Sequence, residues 1–176
     1  MLSIGIDLST NKTGVVVLES SGSKIPKLWA ENLIVPKDLS GIDKYTHIVT
    51  EVIQTIDHYQ PERIVMEGYS LNMKNASSVI PLVELGGLLR FMLKLDGHKW
   101  LDPRATEVKK FVLGKGVGPK DQIMMMVLHK WQHMSKDNNT ADGYACAAMG
   151  LAHGGKLPGL TKEQLSVIGS LAFRNN

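Results

Sequence analysis

The chain has 176 residues, 43% of them hydrophobic and 21% charged, which suits one compact domain with a single core and leaves too little for two lobes. No run of about 18 uncharged apolar residues occurs, and the start, Met1-Leu2-Ser3-Ile4-Gly5-Ile6-Asp7, lacks a basic segment followed by an apolar one. A membrane span and a secretory leader are therefore excluded, and a cytoplasmic protein is expected. A lone Cys146 excludes an internal disulfide and a thiolate zinc site, so it is read as core, while a formal charge of +3 is compatible with a polyanionic partner.

In chain order, Leu2 to Leu8 reads as a strand, Ser9 to Lys12 as a turn, and Gly14 to Leu18 as a second strand of a hairpin. A third strand is expected from Lys27 to Val35, with Trp29, Leu33 and Val35 on one face and Pro36 ending it. Between Gly41 and Gln60, apolar residues recur at three- and four-residue steps, which predicts an amphipathic helix. Arg63 to Glu67, bounded by Pro61 and Gly68, fits a buried central strand reached by a helical crossover.

A helix from Ala76 to Leu95 is apolar nearly all round and must bury more than one face. A short strand at Lys99 to Asp102 precedes a helix over Pro103 to Leu113, and another helix opens at Pro119. Lys109, Lys110, Lys115 and Lys120 fall in one stretch with Gly114, Gly116 and Gly118, read as a basic loop joining these helices and able to grip phosphates. An Ala-rich helix runs from Asn139 to Leu151, and Thr161 starts a final one with Leu165, Ile168 and Leu171 on its apolar face. This order predicts an α/β fold with a mixed sheet and helices on both faces.

Two carboxylates end predicted neighbouring strands, Asp7 and Glu67, and a third, Asp142, sits near the start of the Ala-rich helix. Like charges about 4 Å apart repel by roughly 4 kcal/mol at an effective dielectric near 20. Such a cluster persists with a counter-cation or with shared protons. Mg²⁺ (or Mn²⁺) prefers oxygen ligands, and a pair of such ions about 4 Å apart suits phosphodiester hydrolysis. Taken alone, Asp142 also reads as a first-turn acid that favours the helix dipole, and Asn139 as an N-cap.

The opening Ile4-Gly5-Ile6-Asp7, with Thr13-Gly14 after it, resembles that of the RuvC-type Holliday-junction resolvases of the RNase H-like superfamily. So do Glu67 with Tyr69 and Met73-Lys74-Asn75-Ala76, the segment Val108-Lys109 to Lys120-Asp121-Gln122, and Asn139-Thr140-Ala141-Asp142-Gly143. Leu8-Ser9 depart from the family's Pro-Gly, and Asn139 stands where the family usually has a fourth acid, for which Asp137 is a lesser substitute.

The resemblance implies an RNase H-like mixed five-stranded sheet, with residues 1–155 forming the nuclease domain and 156–176 a helical extension of it. It implies a homodimer through helix 76–95 that resolves four-way and other branched DNA by symmetric nicking with two Mg²⁺ or Mn²⁺ ions per site. Asp7, Glu67, Asn139 and Asp142 would be metal ligands, and Lys120, or else Lys109, a cation at the scissile phosphate. Lys74, Lys109, Lys110, Lys115, Lys120 and Tyr69 would contact DNA, Tyr69 by stacking on a base or else as an ordinary packed ring. A stand-alone chain of this kind also suits a viral enzyme acting in a host cell. Two alternatives stay open here: a branched-DNA-binding protein that has lost catalysis, motivated by Asn139, and an ATP-binding protein of the actin-like and sugar-kinase class, whose opening is similar but whose second lobe has no room.

Overall fold

The computed structural model describes residues 1–69, 76–118 and 121–174, with the backbone alone at 76–78. Among these residues the elements run β1 (Leu2–Asp7), β2 (Thr13–Glu19), β3 (Lys27–Ile34), α1 (Gly41–Tyr59), β4 (Arg63–Met66) and α2 (Ala76–Leu95). They continue with β5 (Trp100–Leu101), α3 (Ala105–Leu113), α4 (Asp121–Trp131), α5 (Asn138–His153) and α6 (Lys162–Gly169).

The described strands form one mixed sheet in the order β3-β2-β1-β4-β5. β1, β2 and β3 pair antiparallel through short turns, whereas β4 and β5 join in parallel, each after a helix. Parallel neighbours need such crossovers, because a tight turn would reverse the chain. Side chains alternate across the pleat, so Ile4, Ile6, Val15 and Val17 join the core under α1 and α2, and Val16, Leu18 and Val65 join the core with α3, α4, α5 and α6. α1 buries Ile48, Val49, Val52 and Ile56 at helical spacing.

α5 lies against the middle of the sheet at unusually short range because glycines face each other there. A Cβ on Gly5 would collide with the Gly143 carbonyl and the Ala147 amide nitrogen, and one on Gly14 with the Asn139 carbonyl. Further along, a Cβ on Gly150 would strike the Ser3 hydroxyl. A glycine inside a strand marks this kind of close backbone approach. The alanines of α5, Ala141, Ala145, Ala147 and Ala148, are all buried and keep the helix thin along its length.

Three sequence expectations need correction. In β3, Trp29 is exposed and Glu31 and Ile34 are buried, while Val35 lies beyond the strand. A register shift between Val17 and Leu18 breaks strict alternation across this edge pair, and Trp29 instead donates its Nε1–H to Glu19 at 2.9 Å. Lys109 and Lys110 belong to α3, so the basic segment is part helix, with Gly114 in the left-handed conformation (φ 77°) closing it. In α6, Leu165 is exposed, and the buried face carries Gln164 and Val167. Gln164 can be buried because its Nε2–H donates to the Phe111 carbonyl at 3.0 Å.

The last described residues belong to the same body. Leu157 and Val167 enter the α5 core, and Arg174 adds backbone hydrogen bonds to Trp100 at the edge of β5. None of the described helices is long and apolar enough to cross a membrane.

Candidate active site

Asp7 is the last residue of β1, paired across the hairpin with Gly14. β4 runs parallel to β1 with Met66 opposite Ile6, and the Glu67 amide donates to the Ile6 carbonyl at 3.0 Å. Parallel neighbours end at the same edge of the sheet, so the two acids emerge side by side. The glycine contacts between α5 and β1 then bring in Asp142, the residue before Gly143.

The buried Cys146 lies within electrostatic reach of all three. Its fully buried thiol holds its proton because of burial first, and then because of the negative charges of Glu67, Asp7 and Asp142, with a backbone hydrogen bond from Glu67 opposing them. Glu67 itself is pushed up to about 7, by burial first and by Asp142 second, while Lys109 pulls the other way. A buried carboxyl whose proton affinity is raised by a neighbouring carboxylate is in a setting that a hard cation would relieve.

Among the described residues, no group of three or more His, Cys, Asp and Glu side chains is already arranged to hold a metal ion. The donor set, three carboxylates and an amide oxygen, is nonetheless all oxygen and suits Mg²⁺ or Mn²⁺.

The start of α5 resolves two of the sequence alternatives. Asp137, and not Asn139, is the N-cap, its carboxylate accepting from the Asn139 amide at 3.0 Å. Asp142 therefore lies in the second turn, past the reach of a first-turn acid. Asp137 also pairs with Lys12 at 3.3 Å, and its carboxyl stays below the usual range chiefly through the Asn139 backbone bond. Its two carboxylate oxygens are thus engaged in the cap and in the Lys12 pair. The Asn139 side-chain amide donates to the Lys12 carbonyl, tying the β1–β2 turn to α5, a bond that an aspartate could not make.

The other expected residues divide. Lys109 lies within electrostatic reach of Glu67, whereas Lys110 faces Glu163 of α6. Lys115 is exposed in the turn after α3. Lys74 and Lys120 fall outside the described residues. Tyr69 is packed, its hydroxyl donating to the Val83 carbonyl at 3.1 Å and its ring lying 4.3 Å beneath the Arg90 guanidinium. Arg90 was missed in the sequence. Its signal is a cation in the middle of a leucine-rich helix, four residues after Gly86.

The model of the family described as Crossover junction endodeoxyribonuclease RuvC matches residues 3–153. The chain belongs to that family. The RuvC of Bordetella avium is 30% identical over 168 residues, covering 93% of this chain and 87% of its own length. The RuvC of Hydrogenovibrio crunogenus is 31% identical over 124 residues, 70% of this chain and 71% of that one. Among solved structures, T. thermophilus RuvC in complex with Holliday junction substrate superposes with a TM-score of 0.76 at 16% identity, covering 99% of both chains. The Fowlpox virus resolvase bound to Holliday junction DNA gives 0.52 at 12% identity, over 82% of this chain and 94% of that one. At such identities the structural likeness establishes the fold, RNase H-like, and the RuvC family match decides against the actin-like alternative.

Proposed function

We propose that this chain is a structure-selective DNA endonuclease that resolves Holliday junctions by nicking phosphodiesters, in the manner that its family's name describes. The observation that carries the proposal is that Asp7 and Glu67 leave the ends of adjacent parallel strands while Asp142 sits on the helix packed against β1, all within electrostatic reach of the buried Cys146. These three carboxylates, with the Oδ1 of Asn139, would hold Mg²⁺ or Mn²⁺, two ions per site. Bound there, the ions would activate a water and stabilise the leaving oxygen.

The protein's own part is to hold the acids in register through the glycine contacts of α5 and to supply cations for the phosphate. Lys109, within electrostatic reach of Glu67, and Lys120 are the cations proposed, each able to steady charge on the phosphoryl oxygens. Lys74, Lys110 and Lys115 would grip the flanking backbone, with Tyr69 at the mouth of the cleft.

Residues 1–155 would carry the nuclease domain and 156–176 its helical extension. A homodimer through α2 would place two such sites on one junction. α2 buries Leu85, Leu89 and Leu93 inward but leaves Ile80, Val83, Phe91 and Leu95 exposed, a stripe that a second copy would cover. The setting would be cytoplasmic.

Cleavage of matched synthetic four-way junction, fork and duplex by the wild type and by Asp7→Asn tests the reading. The wild type with Mg²⁺ is expected to place paired nicks at symmetry-related positions of the junction within one binding event, and Asp7→Asn to lose them while still binding. Cutting that persists in Asp7→Asn would reject the assigned centre. Junction binding without nicking by the wild type in either metal would favour the non-catalytic reading that Asn139 motivates.

A further inference from the structure

We infer that Arg90 of α2 binds a backbone phosphate of the DNA at the acid cleft, with Tyr69 as the platform that holds it there. The inference rests on the proposed nuclease function and adds a substrate contact to it. Asp7, Leu8, Glu67, Tyr69, Leu82 and Arg90 line one cleft of about 150 Å³. A phosphodiester entering it approaches two carboxylates, and among the described lining residues Arg90 is the cation that can offset them.

The guanidinium is held on two sides. It lies 4.3 Å over the Tyr69 ring, and Nη1–H donates to the Gly86 carbonyl at 3.1 Å. Tyr69 is fixed in turn by its bond to the Val83 carbonyl. The seat depends on Gly86, where a Cβ would lie 2.8 Å from both Arg90 Nη1 and Tyr69 Cε1. A guanidinium carries five donors in a planar fork, so a bidentate phosphate contact is compatible with the Gly86 bond. Stacking on the ring fixes the plane of that fork before DNA arrives, which lowers the ordering cost of binding. On this account Tyr69 is a positioning residue for Arg90 and does not stack on a base.

The test measures binding of a fluorescent four-way junction in EDTA, so that no cutting intervenes, across a series of salt concentrations. Arg90→Gln is expected to weaken binding about 10- to 100-fold and to lower the slope of log affinity against log salt by about one. Arg90→Lys, which keeps the charge and is the milder change for folding, should retain the slope but recover only part of the affinity. Tyr69→Phe, which keeps the ring but loses the Val83 bond, should weaken binding less than Tyr69→Leu, and Tyr69→Leu should add nothing on top of Arg90→Gln. Unchanged affinity and slope in Arg90→Gln, or additive effects of Tyr69→Leu and Arg90→Gln, would overturn the inference. Those results, with the wild type still binding and nicking the junction, leave the proposed function standing; failure of the wild type to bind removes both.

Discussion

Glu67→Gln is expected to abolish nicking and, in the metal-free protein, to raise the melting temperature at pH 8. The two effects have one cause. The Glu67 carboxyl is pushed up from 4.5 to about 7 in the folded chain, by burial and then by Asp142. Below pH 4.5 the group is protonated folded or unfolded, and it costs nothing. As pH rises towards 7 the unfolded chain ionises first, so the folded state is progressively penalised, by about 3 kcal/mol once both forms are ionised.

Glutamine cannot ionise and escapes that penalty. In a chain of this size the difference corresponds to a rise of roughly 5 to 10 °C at pH 8, vanishing near pH 4.5. A saturating divalent cation should close the gap from the other side, because it stabilises the folded wild type by binding it. Nicking should fall at least about 10³-fold, since the variant retains shape but loses a charged ligand. Melting curves with EDTA and with Mg²⁺ at pH 4.5 and pH 8, beside nicking rates, check all of this. A Glu67→Gln protein that melts lower than the wild type at pH 8 in EDTA would show that the carboxylates do not strain the fold.

Gly5→Ala is expected to be the most damaging small substitution in the sheet. Its new methyl would occupy the space of the Gly143 carbonyl and the Ala147 amide nitrogen, backbone atoms that cannot rotate away. α5 would have to lift from β1, at a cost of about 3 kcal/mol or more. Asp142 rides on that helix, so nicking should also fall about 10²-fold or more in any protein that folds, as a displacement of about 1 Å does to a positioned group. Gly169→Ala is the control: nothing lies within 4 Å of its added Cβ at the end of α6, and it should leave stability within about 1 kcal/mol of the wild type. Denaturation midpoints for the pair decide the matter, and equal midpoints for Gly5→Ala and the wild type would refute the tight-packing account.

Much of this arrangement could be read from the residues. The period of two in Leu2–Asp7 and Thr13–Glu19, and of three to four in Gly41–Tyr59, reports burial directly, and the crossover to Arg63–Met66 follows from it. Asp7 and Glu67 were conspicuous because each ends an apolar strand. What escaped depends on tertiary partners. Trp29 faces outward as the extra, unpaired residue where the β2–β3 register shifts, and Gln164 faces inward because the Phe111 carbonyl of α3 accepts its bond.

The site divides in the same way. Asp142 was found by resemblance, yet the reason it reaches the other acids is a set of facing glycines, and Gly5 and Gly14 were passed over as ordinary strand residues. Asn139 looked like a cap or a ligand, and its bond to the Lys12 carbonyl depends on a turn 127 residues away in sequence. Arg90 shows locally only as a cation in a leucine-rich helix, and its significance comes from Tyr69 on a different segment.

Calorimetric titration of the protein with Mn²⁺ tests most directly whether Asp7, Glu67 and Asp142 together hold divalent cations. The wild type should take up the ion, and Asp7→Asn and Asp142→Asn should each bind at least about tenfold more weakly, since each loses a charged oxygen ligand. If both variants take up Mn²⁺ as the wild type does, the three carboxylates are not the metal site.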